Sequence, residues 1–175
     1  MTSQDSARPA HGARSPRAVD RGAALVDQGE LLALVGYNCR RAYLAILPLF
    51  LERMAGDGLR PVDFSVLTLL RANPALTQKQ LGATLAIAPP NLAVLLDRLQ
   101  DRGLVVRSRN PADGRSQVLS LTAAGRRLIT KARTKAVALE ADATSMLTDA
   151  ERGQLIALLQ KIHLKDRNAA KGTPS

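Results

Sequence analysis

Between Ala88 and Thr122 the chain reads APPNLAVLLDRLQDRGLVVRSRNPADGRSQVLSLT, and no other stretch restricts the possible folds as much. Leu92, Leu95, Leu96 and Leu99 recur at the i, i+3, i+4, i+7 spacing of one helix face. The paired prolines at 89 and 90 are tolerated only at a helix start, and Gly103 is the residue type that ends helices in the left-handed conformation. LVVRSR and RSQVLSL flank the turn-forming Asn-Pro-Ala-Asp-Gly with β-favouring residues, which predicts a two-stranded hairpin over 104–121. Few architectures accommodate a helix that stops on glycine and runs at once into a hairpin carrying Arg107, Arg109 and Arg115.

The flanks narrow the choice. Thr77-Gln-Lys-Gln80 has the form of a capping box, and it opens a short helix that turns Leu81 and Leu85 inward and ends near Ile87. Pro61 suits the first position of a preceding helix, whose Phe64, Leu67 and Leu70 lead to a stop at Asn73-Pro74. Further upstream, apolar residues from about Ala24 to Met54 keep three- and four-residue steps, predicting one long helix that Pro48 bends or ends locally and that GDGL at 56–59 breaks. Downstream, Thr122 caps a helix over 123–146. Thr148-Asp-Ala-Glu151 opens a last one with Leu155, Ile156, Leu158, Leu159 and Ile162 as its apolar set. Residues 1–22 and 166–175 hold too little apolar surface to offset the entropy of ordering them and read as disordered tails. The expected fold is mostly α with a small β-hairpin: a winged helix-turn-helix over 59–121, between a helix at 23–58 and two helices at 122–165.

Composition agrees. Hydrophobic residues make up 46% of the chain but aromatics only 2%, so the core rests on Leu, Ala, Val and Ile, which favours helices. The net charge is +10, and half of that excess lies in 77–127, where eight Lys and Arg meet three Asp. A basic cluster on a helix-turn-helix and hairpin points to double-stranded DNA, although for any single arginine a solvated basic face is an equal alternative. Membrane-surface binding needs a basic amphipathic helix, whereas the cations here gather on the hairpin. No Ser-His-Asp, Cys-His or His-rich spacing appears, and His11 and His163 stand alone, so neither an enzyme, a metal nor a cofactor is expected. One cysteine, no secretory signal and no long apolar run lead to the expectation of a cytoplasmic protein without a membrane partner.

At LLDRLQDRGLVVRSRNPADGRSQVLSLTAAG the chain resembles the MarR family of bacterial transcription regulators, through Asp113-x-Arg115 followed by Leu121-Thr122. The likeness extends over essentially 25–165. It implies a homodimer in which the first and last two helices interdigitate, each subunit presenting one winged helix to a pseudo-palindromic operator with half-sites ~34 Å apart. The residues alone show three helices whose apolar stripes need a partner, without identifying it as a second copy.

Arginine on a thin ribbon suits the narrow minor groove, where a helix does not fit, and Arg115 is the expected reader there. Asp113 either holds that guanidinium or forms the turn. The helix after the prolines should enter the major groove by its N-terminal end. Asn91 there suits adenine, and Ala88, Pro90, Ala93 and Val94 suit thymine methyls. Gln78, Lys79, Arg98, Arg107 and Arg109 are expected at phosphates.

The resemblance also implies a small ligand held between the dimerisation region and the winged helix, acting by changing the separation of the two reading helices. Tyr37, Arg40, Arg41, Tyr43, Phe50 and Phe64 concentrate aromatic and guanidinium groups in that neighbourhood, which suits an aromatic acid or its CoA thioester; they equally suit a long helix needing core and surface. Peroxide-sensing members carry a reactive cysteine on the first helix. Cys39 lies three residues from that place, which Gly36 occupies, and Pro61 stands where a tyrosine is expected. Cys39 therefore reads as a structural or incidental thiol, with redox sensing the lesser alternative. A non-specific architectural DNA-binding protein would also be basic and dimeric; discrimination against random DNA separates the two.

Overall fold

The computed structural model describes residues 26–110 and 113–164, without the side chains of Asp113, Arg115 and Ser116. The expected tails and Pro111-Ala112 of the turn lie outside the described residues. The chain divides into two units, one ending at Cys39 and the other starting at Arg40.

The expected single helix from 24 to 54 is two helices. A single turn, α1 (Gly29–Leu32), is followed by a break and then α2 (Val35–Met54). Asn38 marks the break: its side-chain amide donates to the carbonyls of Leu32 and Leu34, both at 2.8 Å, and the Leu32 carbonyl is one that a continuous helix would bond itself, whereas Leu34 O also keeps its helical bond from Asn38 N at 3.1 Å. Pro48 does not end α2, which runs through it to Met54. Proline costs one backbone hydrogen bond there, and the helix tolerates it on an exposed position. A 3-10 turn (Ala55–Asp57) and left-handed Gly58 (φ 58°) close the element.

From there the expected order holds. It runs α3 (Pro61–Ala72), α4 (Gln78–Leu85), α5 (Pro89–Asp101), β2 (Val105–Asn110), β3 (Asp113–Leu121), α6 (Ala123–Ala143) and α7 (Asp149–His163). Both capping boxes form. Thr77 Oγ1 accepts from Gln80 N at 3.2 Å while Gln80 Oε1 accepts from Thr77 N at 2.9 Å, and Thr148 and Glu151 repeat the exchange at 3.3 and 2.8 Å. One element is additional. A two-residue strand, β1 (Leu76–Thr77), pairs with β3 through Leu76↔Leu119 and Thr77↔Val118, giving a three-stranded antiparallel sheet in the order β1-β3-β2. A two-residue strand that doubles as a helix cap carries no alternation to reveal it.

The core is aliphatic, as the composition predicts. Val66, Leu67 and Leu70 of α3, Leu81 of α4, the four leucines of α5, Leu119 and Leu121 of β3, and Ile129 and Ala132 of α6 form one buried cluster. Gly125 seats α6 on the segment that follows α5: a Cβ there would lie 2.1 Å from the Leu104 carbonyl oxygen, so only glycine permits the approach. Among the described residues one charged group is fully buried, the carboxylate of Asp63.

Candidate nucleic-acid interface

The helix-turn-helix is α4, a turn at Ala86–Ala88 and α5. Ala86 adopts the left-handed conformation (φ 52°) that ends α4, and Ile87 N donates back to the Gly82 carbonyl at 3.0 Å. A cleft of about 510 Å³ lies between α4 and the start of α5, lined by Gln78, Lys79, Gly82, Ala83, Ile87 and Pro89 among others. At its far end α5 stops as the sequence predicts. Gly103 (φ 64°) donates to Gln100 O at 2.7 Å and Leu104 N to Leu99 O at 3.0 Å, the paired bonds of a Schellman motif.

The leucine face of α5 is buried, so the opposite face is defined by elimination: Pro90, Asn91, Val94, Asp97 and Asp101 are exposed. Of the expected base-reading residues, Pro90, Asn91 and Val94 thus share one outward face, with Ala93 half-buried beside them.

The wing follows directly. β2 and β3 pair antiparallel with Arg107↔Leu119 and Arg109↔Gln117, and the register shifts between Arg109 and Asn110 beside the turn. Thr122 closes it: its hydroxyl donates to the Gly103 carbonyl at 2.7 Å and accepts from Gly125 N at 3.0 Å, so one residue ties the wing's end to the reading helix and caps α6. The backbone of Asp113 and Arg115 lies at the start of β3. What their side chains do falls outside the described residues.

The basic residues sort into two groups. Arg98 pairs with buried Asp63, whose other oxygen accepts from Arg60 N at 3.0 Å. Its guanidinium is thus turned to the carboxylate of α3, because a fully buried charge demands a partner. Arg107 pairs with Asp97 at 2.8 Å, pinning β2 to α5. Arg102 donates to the carbonyls of Gly58 and Asp57 at 2.8 and 2.9 Å, and Arg126 donates to Leu121 O at 2.6 Å. Lys79, Arg109 and Arg127 are exposed and make no ion pair or side-chain hydrogen bond among the described residues. Gln78 sits half-buried at the start of α4.

Asp57 is a second anchor. Its side chain, 4% exposed, takes Lys131 at 3.0 Å and also Lys135, both from α6, and Arg53 pairs with Asp142 at 2.7 Å. The hydrogen bond from Lys135 leads in holding the Asp57 carboxyl below its ordinary range, aided by Lys131 and opposed by burial. The turn after α2 is therefore gripped by α6 through the carboxylate and by α5 through Arg102.

The expected ligand residues divide between the two units. Arg40, Arg41 and Tyr43 are exposed along α2. Tyr37 belongs to the first unit, where its hydroxyl donates to Gln28 Oε1 at 2.5 Å. Phe50 and Phe64 do meet, edge to face with centroids 5.9 Å apart. Phe64 also lines a cavity of about 410 Å³ between α3, α6 and α7, where its neighbours include Thr68, Arg133, Glu140 and Arg152. The Thr68 hydroxyl is buried without a hydrogen-bond partner. Thr68 carried a signal, as a hydroxyl inside the apolar run VLTLL of α3; Arg133 and Glu140 carried none on a helix rich in charge. Asp63 was equally hidden, since an acid three residues into a helix looks like a cap. Cys39 is an exposed free thiol. Among the described residues, no helix is long and apolar enough to cross a membrane.

Comparison with known proteins adds four likenesses to this geometry. The sequence pattern of the MarR family matches residues 57–116. The HTH-type transcriptional regulator YkoM of Bacillus subtilis is 31% identical over 121 residues, covering 69% of this chain and 79% of YkoM. The transcriptional repressor CouR bound to a 23-mer DNA duplex is 40% identical with a TM-score of 0.73, over 78% of this chain and 97% of that one. CouR bound to p-coumaroyl-CoA is 38% identical with a TM-score of 0.71, over 78% and 96%.

Proposed function

This chain belongs to the MarR family of winged helix-turn-helix transcription regulators, and from that premise we propose that it is a homodimeric repressor of a pseudo-palindromic operator, released by a small aromatic acid or its CoA thioester. The observation that carries the DNA reading is the exposed N-terminal face of α5 set beside a wing tied to it by Arg107–Asp97 and Thr122. The 40% identity to a repressor solved on DNA supports it. α5 enters the major groove with Pro90, Asn91 and Val94 at base edges. Arg115, with Asp113 supporting it, reaches the minor groove from the wing. Gln78, Lys79 and Arg109 meet phosphates, and Arg107 does so from a position fixed by Asp97. A regulator of this kind has no catalytic site.

Dimerisation is supported by what the fold leaves uncovered. α7 buries none of its residues, and Leu155, Ile156, Leu158 and Ile162 are 44–58% exposed; Val137 of α6 is 72% exposed. Apolar surface of that extent marks an association face, and a second copy of the chain is its occupant here.

The effector reading rests on the cavity beside Phe64. It offers an aromatic wall in Phe64, Thr68 in its lining, and the exposed Arg133 for an anion. It draws Phe64 and, through the ring contact, Phe50 from the expected set, and its lining includes neither Arg40, Arg41 nor Tyr43. CouR held with p-coumaroyl-CoA shows that a similar protein takes such a molecule. Oxidation of Cys39 is the competing trigger. Footprinting on duplexes selected from a random pool, followed by release assays with aromatic acids, their CoA thioesters and peroxide, tests the whole reading. Selectivity below ~10³ over random DNA overturns the operator, and release by peroxide alone replaces the aromatic effector with Cys39.

A further inference from the structure

The outward face of α5 is short of polar readers. Of its exposed positions, Asp97 is committed to Arg107, and the helix's one cation, Arg98, is committed to Asp63. Helix N-termini ordinarily grip phosphate or base acceptors through free backbone N–H groups. Pro89 and Pro90 occupy the first two helical positions of α5 and supply none. What remains at the tip is the amide of Asn91 and, one turn along, the isopropyl group of Val94.

Val94 is 71% exposed, on a helix whose other large apolar side chains are all buried. Exposed valine on a helix has neither packing nor propensity in its favour. It lies on the same face as Pro90 and Asn91, at the spacing i, i+1, i+4, beside half-buried Ala93. The face is thus methyl-rich and nearly free of donors.

We infer that Val94 sets operator specificity by packing against a pyrimidine C5-methyl in the major groove, so that each half-site is read through the presence of that methyl. The inference rests on the DNA-binding function proposed above. Thymine carries the group and cytosine does not, whereas valine has no donor or acceptor with which to tell thymine from 5-methylcytosine. Asn91 supplies the directional hydrogen bonds at a neighbouring pair, and Val94 supplies a contact that depends on surface alone.

The test replaces each thymine of a selected operator, symmetrically in both half-sites, by deoxyuridine, which pairs identically and lacks the methyl. Burial of one methyl corresponds to a factor of about four per half-site, hence roughly fifteenfold per dimer. One thymine position per half-site should show that loss, and 5-methylcytosine paired with guanine at that position should be bound better than cytosine by a similar factor. Val94→Ala, which removes two exposed methyls from a position where alanine is a good helix former, should abolish most of the thymine–deoxyuridine difference while the protein stays folded and dimeric. Asn91→Ala should leave that difference in place. Tight, selective binding with no methyl-sensitive position, or a sensitivity that Val94→Ala leaves intact, overturns the inference. The wing cannot mimic the effect, because the C5-methyl faces the major groove. Failure to select any duplex overturns the operator function itself and is distinguishable at the first step.

Discussion

Arg98→Met is the most informative single change to this domain, because it decides between two roles for one cation. If Arg98 is a phosphate contact, its loss weakens DNA binding and lowers the salt slope by about 1 per subunit, with little effect on folding. The structure argues otherwise. Asp63 is fully buried, Arg98 is its partner, and its further hydrogen bond is the single one from Arg60 N at 3.0 Å. Removing one member of such a pair leaves a carboxylate among the leucines of α3 and α5, a change that costs about 3–5 kcal/mol. For a chain of this length each kcal/mol shifts the midpoint by about 2–4 °C, so a fall of roughly 6–20 °C is expected. The assay is thermal and urea unfolding at one fixed protein concentration, since dimer dissociation makes the midpoint concentration-dependent. Asp63→Leu combined with Arg98→Met should recover most of the loss, because an apolar pair of similar size avoids desolvating two charges. In the folded fraction of Arg98→Met, the dependence of DNA affinity on salt should stay parallel to that of the parent. A midpoint unmoved by more than ~2 °C together with a reduced salt slope would refute the argument and return Arg98 to the phosphates.

Three further changes probe other parts of the molecule. Arg115→Ala should weaken operator binding at least tenfold with the dimer intact by sedimentation, and equal affinity at physiological salt would remove the wing from the interface. Asp57, whose carboxyl is held low by Lys135 and then Lys131, contributes stability that is complete above the ordinary carboxylate range and is lost as pH falls through the depressed folded value; Asp57→Asn should lower stability at pH 7 and flatten the acid arm, and an unchanged acid arm contradicts the anchor. Ala86→Gly should raise stability by about 0.5–1 kcal/mol, the relief of a left-handed alanine less the extra freedom glycine has when unfolded, read as a higher urea midpoint with constant m.

Local chemistry explains why so much of the fold was legible. The leucines of α5, the threonine caps at 77, 122 and 148, and Gly103 each act within a few residues of themselves, and each forms the element its spacing predicts. The misreadings involve partners distant in sequence or groups without a pattern. β1 exists because β3 runs past Leu76, and the helix break at Ala33–Leu34 depends on one asparagine amide that periodicity does not register. The cavity beside Phe64 joins residues more than 60 positions apart, and only Thr68 stood out locally.

Charge is where sequence and structure diverge most usefully. The cations of 77–127, alike in the sequence, differ in the structure. Four of the eight, Arg98, Arg102, Arg107 and Arg126, also bond within the protein, to Asp63, to the turn after α2, to Asp97 and to the end of β3. Each of those bonds fixes one edge of the reading helix or the wing, so part of the positive charge serves to orient the reader. Among the described residues, the cations of this stretch without such a bond, Lys79, Arg109 and Arg127, lie on α4, the wing and the start of α6. On the function proposed above, that division accounts for α5 having an exposed face with two aspartates and no cation: affinity would come from around it, and α5 would discriminate through one amide and one isopropyl group.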